Sequence, residues 1–293
     1  MHQKTIRRPC EIQGIGLHTG REARIRLLPA PPDHGIMFRV GGRFGKVDIP
    51  ARSEFVTSTR LSTCLGKRHR RVYTVEHLMA ALFGLELDNL LVEVDGNEVP
   101  VMDGSALAFV EHLREAGFTI QPAPKRYIRV LQPITIHGED RSASLLPSPV
   151  PLFSFEIEFP HPAINVQTKR LHLTPRSFVH EIAPARTFGF ERDLEKLQKQ
   201  RLARGVSLDN CVGLGRDGHV MNPGGLRFAD EFVRHKILDA IGDLSLAGFP
   251  LLAEYRGVKS GHAINRKLVR ALLAGTDSWE WAEAATLAQA EAV

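Results

Sequence analysis

Thr74-Val75-Glu76-His77-Leu78-Met79-Ala80-Ala81-Leu82-Phe83-Gly84 and Val233-Arg234-His235-Lys236-Ile237-Leu238-Asp239-Ala240-Ile241-Gly242 are two versions of one pattern. At an offset of 158 residues His77 overlays His235 and Gly84 overlays Gly242; at 157, Gly104-Ser105-Ala106 overlays Gly261-His262-Ala263. Each half reads helix, strand, loop, helix, and preserved order of this kind predicts an internal duplication. In the first copy Val75, Leu78, Met79 and Leu82 keep the i, i+3, i+4, i+7 spacing of a buried stripe, with Thr74 as the expected N-cap and Gly84 as the stop. His77 lies off that stripe, in a small-sided row with Ala80, Ala81 and Gly84 that lets another helix approach. In the second copy Asp230 is the expected cap. Val233, Ile237, Ile241 and Leu244 form the main stripe, while His235, Asp239 and Gly242 form another. A pseudo-twofold relation would bring His77 and His235 face to face between the halves.

Working outward, Gln121-Pro122-Ala123-Pro124-Lys125-Arg126 marks a boundary. We expect an N-terminal α+β domain over 1–121 with an insert of short strands at 34–72, and a linker over 122–126. A C-terminal α+β domain follows over 127–275. Its insert at 190–222 reads as a helix, Glu191 to Arg204, then strands around an Asp217-Gly218 turn. Residues 276–293 read as a mobile or weakly helical tail. A chain of 293 residues accommodates two such domains. Cys10, Cys64 and Cys211 are far apart and odd in number, which argues against a disulfide framework and a cysteine zinc site. The N-terminus has no apolar h-region and no apolar run approaches a membrane span of ~20 residues, so the expected location is the cytoplasm. The formal charge of +5 suits an anionic partner. The run Lys67-Arg68-His69-Arg70-Arg71 lacks the interleaved aromatics of a single-strand stacking platform.

His235 and Asp239, four apart on a helix, share a face, and an imidazole and a carboxylate so placed can bind one metal ion with His77 as third ligand. Three protein ligands leave a tetrahedral zinc site one open position, as catalytic sites require. Ferrous iron suits two histidines and a carboxylate about as well as zinc. Glu76, about 100° round the helix from His77, is either a general base or an ordinary first-turn glutamate favoured by the helix dipole. His262 opens a helix, where the dipole disfavours an imidazolium, and Asp243 supplies the opposing charge. The sequence leaves that contest open.

The strings Gly14-Ile15-Gly16-Leu17-His18-Thr19-Gly20, Thr74-Val75-Glu76-His77-Leu78, Met102-Asp103-Gly104-Ser105-Ala106, Ala185-Arg186-Thr187-Phe188-Gly189-Phe190, Gly224-Gly225-Leu226-Arg227-Phe228, His235-Lys236-Ile237-Leu238-Asp239-Ala240-Ile241-Gly242-Asp243 and Lys259-Ser260-Gly261-His262 resemble, in order, the UDP-3-O-acyl-N-acetylglucosamine deacetylase family of lipid A synthesis. The resemblance implies two similar α+β domains with helices sandwiched between two sheets and a site at their junction. It implies that His77, His235 and Asp239 bind zinc, Glu76 is the general base, His262 the acid oriented by Asp243, and Thr187 an oxyanion contact. Lys236 and Lys259 would face phosphates or sugar, Glu158 and Phe159 the uridine, and Phe188 the glucosamine. Leu17, His18 and Gly261 complete the implied substrate contacts. Leu194, Leu197, Leu202, Val206, Val212 and Leu214 would wall a passage for the 3-O-acyl chain. Arg141 stands where a phosphate-contacting lysine is expected. The implied reaction is hydrolysis of the 2-acetamido group to a free amine and acetate, by a monomer. Two rivals predict otherwise: a nucleic-acid binder with no metal requirement, and a scaffold that binds UDP-sugar or zinc without turnover.

Overall fold

In the strand Glu22–Pro29 every second residue from Ala23 to Leu27 is buried, so Ala23, Ile25 and Leu27 face inward while Arg24 and Arg26 face water. This period-2 pattern makes a half-buried strand. It sits in a five-stranded sheet ordered Cys10–Ile15, Glu22–Pro29, Leu90–Asp95, Ile36–Val40, Val47–Pro50. Only the Leu90–Asp95/Ile36–Val40 pair is parallel. The outer face is laced with ion pairs such as Arg39–Asp48 and Lys46–Glu93, and the inner face is apolar. The computed structural model describes residues 1–41 and 45–283, and its fold is α+β.

A second sheet repeats the first one's order and strand senses: Ile134–His137, Ser142–Pro147, Leu251–Val258, Leu152–Phe159, Asn165–His172. Arg126–Val130 extends it, parallel to the start of Leu251–Val258.

The helices are α1 (Glu76–Gly84), α2 (Leu107–Ala116), the single turn α3 (Pro175–Ser177), α4 (Glu191–Lys199), α5 (Glu231–Leu244) and α6 (His262–Ala274). Helix α1 packs on α5, and α2 lies against α1 and the first sheet. Helix α5 lies against Leu152–Phe159 and Asn165–His172, and α6 against α5, Ile134–His137 and Ser142–Pro147. Enclosed on all sides, α1 buries every residue except Phe83 and α5 buries all but Arg234 and Lys236. Gly242 faces the Glu76 carbonyl and Gly84 faces the Phe178 ring, each so closely that a Cβ would collide.

Several local expectations are corrected. Thr74 does not cap α1: its φ is 59° and its hydroxyl donates to Glu98 Oε1 at 3.0 Å. Gly84 is the last helical residue rather than a stop beyond it. Asp230 makes no capping bond because its carboxylate pairs with Arg234. Of the expected insert at 34–72, Ile36–Val40 and Val47–Pro50 belong to the main sheet. The small sheet Val56–Ser58, Cys64–Lys67, Arg70–Val72 stands apart from it. Residues 42–44 lie outside the described residues.

The stretch read as a linker is mostly strand: Phe118–Pro124 pairs with His2–Ile6, and Lys125 is buried against Asp88 at 2.9 Å. Proline is tolerated there because the strand needs no further donor on its open side. Helix α4 stops at Lys199, short of Arg204, where positive φ at Arg201 and Ala203 breaks the helical path. The tail also begins otherwise than expected. Trp279–Glu283 is a strand antiparallel to Arg126–Val130, with Trp281 packed edge-on to Phe249. The remainder of the tail, 284–293, lies outside the described residues.

Candidate active site

Helix α5 meets α1 at Gly242, whose missing side chain lets it lie against the Glu76 backbone, and this closeness brings the polar residues of the two helices together. One ligand-capable atom each from His77, His235 and Asp239 lies within 4.8 Å of the others, and all three residues are buried. Asp239 Oδ1 is 3.6 Å from His77 Nε2 and 3.4 Å from His235 Nε2. The two rings meet at right angles, their centroids 5.0 Å apart.

The donor set fits a divalent metal ion. His235 Nδ1 lies 3.1 Å from the Ala185 carbonyl, so Nδ1 carries the proton and the lone pair of Nε2 faces Asp239, the arrangement metal-binding histidines use. Burial pushes the His235 imidazole down to about 4, keeping it neutral as a ligand must be. Burial opposes ionisation of Asp239, but the Lys236 ammonium, with the neighbouring imidazoles, outweighs it and holds the carboxyl well below its usual range. Lys236 Nζ is 2.7 Å from Asp239 Oδ2; burial works against its charge, and Asp239 more than offsets that.

The Ala185 carbonyl is itself placed by a buried ion pair. Glu231, in the first turn of α5 and fully enclosed, accepts from Arg186 Nε at 2.8 Å, Arg186 N–H at 2.9 Å and Arg227 N–H at 2.7 Å. That clamp ties the segment through Thr187 and Phe188 to α5. Phe188 stacks edge-on to Phe232 and lies 6.3 Å from the His235 ring.

Glu76 begins α1 beside the ligand cluster. Burial raises its carboxyl above the ordinary range, and its Oε2 accepts the Thr63 N–H at 3.0 Å. His262 begins α6, with Nε2 4.0 Å from Glu76 Oε1 and Nδ1 2.8 Å from Asp243 Oδ2. Burial disfavours the His262 imidazolium, yet the Asp243 carboxylate in direct contact raises its pKa to about 9. The site therefore sets a buried carboxylate and a protonated imidazole side by side, next to three metal-capable groups. Such a pair can remove a proton from water and deliver one to a departing amine.

A profile of the UDP-3-O-acyl N-acetylglycosamine deacetylase family matches residues 3–274. The chain belongs to that family. It is 46% identical over 283 residues to the UDP-3-O-acyl-N-acetylglucosamine deacetylase of Syntrophotalea carbinolica, covering 97% of this chain and 91% of that one. Against the Myxococcus xanthus deacetylase it is 47% identical over 279 residues, covering 95% and 88%. The deacetylase of Stenotrophomonas maltophilia is 46% identical over 283 residues, covering 96% and 93%.

Glu158 and Lys259 form an ion pair at the ends of two neighbouring strands, and Phe159 packs edge-on to Phe188, which leads toward the ligand cluster. Leu17 and His18 lie in a turn whose carbonyls accept from Gly205 and Arg204 of the 190–222 segment. His18 is buried, and burial lowers its pKa. The Ala203 N–H donates to its Nδ1 at 3.3 Å, and Nε2 has no hydrogen-bond partner among the described residues. Gly261 precedes α6, its carbonyl accepting from Ile264 and Asn265. Arg141 instead pairs with its neighbour Asp140 and is exposed.

Among the proposed passage residues Val212 and Leu214 are buried, and Leu194, Leu197, Leu202 and Val206 are half-buried. Sequence reasoning missed Thr63, Glu98 and Asn265. Glu98 binds the N–H groups of His18 and Thr19 at 2.8 and 2.9 Å. Asn265 Nδ2 donates to Asp243 Oδ2 at 2.9 Å. Its i+3 spacing from His262 was the available signal. Thr63 and Glu98 carried none, because they reach the site only through the tertiary fold.

Proposed function

We propose that this chain hydrolyses the 2-acetamido group of UDP-3-O-(3-hydroxyacyl)-N-acetylglucosamine to the free amine and acetate, in lipid A synthesis in the cytoplasm, using zinc or ferrous iron. The carrying observation is the 4.0 Å approach of Glu76 Oε1 to His262 Nε2 beside His77, His235 and Asp239. Family membership and the printed names of relatives support the substrate class.

His77, His235 and Asp239 would hold the metal ion, which when bound would supply Lewis acidity and make water more acidic. Glu76, with its raised pKa, takes the proton of the attacking water. His262, kept protonated by Asp243, gives one to the amine as the C–N bond breaks. Thr187 is assigned to the developing oxyanion. Lys236, Lys259, Glu158, Phe159, Phe188, Leu17, His18 and Gly261 are assigned to the UDP-sugar, and the 190–222 segment to the acyl chain. The matching strand order of the two sheets supports the duplication and a domain division near residue 125. Among the described residues no helix is long and apolar enough to cross a membrane.

The test is acetate release from that substrate before chelation, after it, and after zinc add-back. Loss and stoichiometric recovery is the expected result. No release from folded, zinc-loaded protein across several acyl lengths would overturn the reading.

A further inference from the structure

Thr63 precedes the strand Cys64–Lys67 and is 2% exposed. Each of its polar groups meets a different partner. Its carbonyl accepts the Val75 N–H at 3.3 Å and its N–H donates to Glu76 Oε2 at 3.0 Å, while its hydroxyl donates to Asp243 Oδ1 at 2.6 Å. One residue belonging to neither helix thus ties together carboxylates at the start of α1 and near the end of α5.

The choice of oxygens matters. With Asp243 Oδ1 engaged by Thr63, Oδ2 is directed at His262 Nδ1 at 2.8 Å, which fixes the carboxylate rotation and the imidazole plane. With Glu76 Oε2 engaged by the Thr63 N–H, Oε1 is the oxygen directed toward His262 Nε2. We infer that Thr63 is a positioning residue for the hydrolysis, holding the base carboxylate and the acid's orienting carboxylate in one register without touching the reacting atoms. The inference rests on the assignment of Glu76 and His262 as base and acid. Charge-assisted hydrogen bonds in buried sites are the strong ones, and small misplacements of catalytic groups are costly in rate.

Thr63→Val keeps the shape and the N–H but removes the hydroxyl. It is expected to lower kcat about tenfold to a hundredfold, leaving KM within about twofold and metal stoichiometry unchanged, while Thr63→Ser restores most of kcat. In an Asp243→Asn background the same change should cost little more, since its partner is already altered. Wild-type kcat in Thr63→Val, or its full penalty persisting in Asp243→Asn, would overturn the inference. Should the valine variant not fold, Thr63→Ala against Thr63→Ser carries the same comparison. The His262 Nδ1–H proton resonance should move in Thr63→Val whether or not substrate turns over. An unmoved resonance overturns the positioning role, whereas an unmodified chain that releases no acetate overturns only the activity assignment.

Discussion

Gly242 of α5 lies against the backbone carbonyl of Glu76 in α1, so that a Cβ at Gly242 would collide with the oxygen, carbon and Cα of Glu76. Backbone cannot rotate aside as a side-chain tip can. Gly242→Ala must therefore separate the helices that carry His77 on one side and His235 and Asp239 on the other. We expect a destabilisation of about 3 kcal/mol, at the upper end for overpacking, in urea unfolding, together with weaker metal retention on dialysis. Wild-type values for both would mean that the helix contact does not set the cluster geometry.

Glu76→Gln keeps the size and the acceptor for the Thr63 N–H but cannot take up a proton. Metal content should stay as in wild type while turnover falls about 10²–10⁴-fold. A fully active variant would remove Glu76 from the mechanism.

His77→Ala takes one of three donors from a cluster spanning 4.8 Å. Metal measured by atomic emission after gel filtration should fall to background. A normal stoichiometry would break the ligand assignment.

The two buried titrating groups predict a bell-shaped pH–rate profile. Glu76 must be ionised to act, and its pKa is raised, so the acid limb should lie above the ordinary 4.5. His262 must be protonated, so activity should fall as pH passes about 9. Asp243→Asn should move that basic limb to lower pH, and an unmoved limb would assign it to another group. The same shift acts on stability. Because the folded pKa of His262 lies above its ordinary 6.5, the dyad's contribution is complete below that value and is lost as pH rises through about 9. The Tm gap between wild type and Asp243→Asn should narrow correspondingly.

Truncation after Gly275 would remove Trp279–Glu283 from the sheet edge and, with Ala282 gone, uncover Tyr127 and Leu252, which it helps bury. It would also take Trp281 from the Arg126 guanidinium, which lies 5.4 Å from its ring. We expect a loss on the order of 2 kcal/mol in denaturant unfolding from the apolar and aromatic contacts, with kcat unchanged. Unaltered stability would make the strand a passive appendage.

Much of the central architecture was legible because it is written in local periodicity. The i, i+3, i+4 stripes of α1 and α5, the small-sided row and the four-residue spacing of His235 and Asp239 are properties of a helix, and a helix is determined by neighbours in the chain. The start of the tail was misread because Trp279–Glu283 is a strand only by virtue of pairing with Arg126–Val130, some 150 residues earlier. The Gln121–Arg126 stretch was misread for the same reason. Its prolines resemble a linker until His2–Ile6 pairs beside them.

The residue types and spacings settled family membership and which side chains are chemically able to act. The oxygens to which Thr63 donates, the carbonyl that orients His235 and the protonation of His262 emerge only in the folded chain. Each depends on a distance between residues remote in sequence and on burial that strengthens one charge against another.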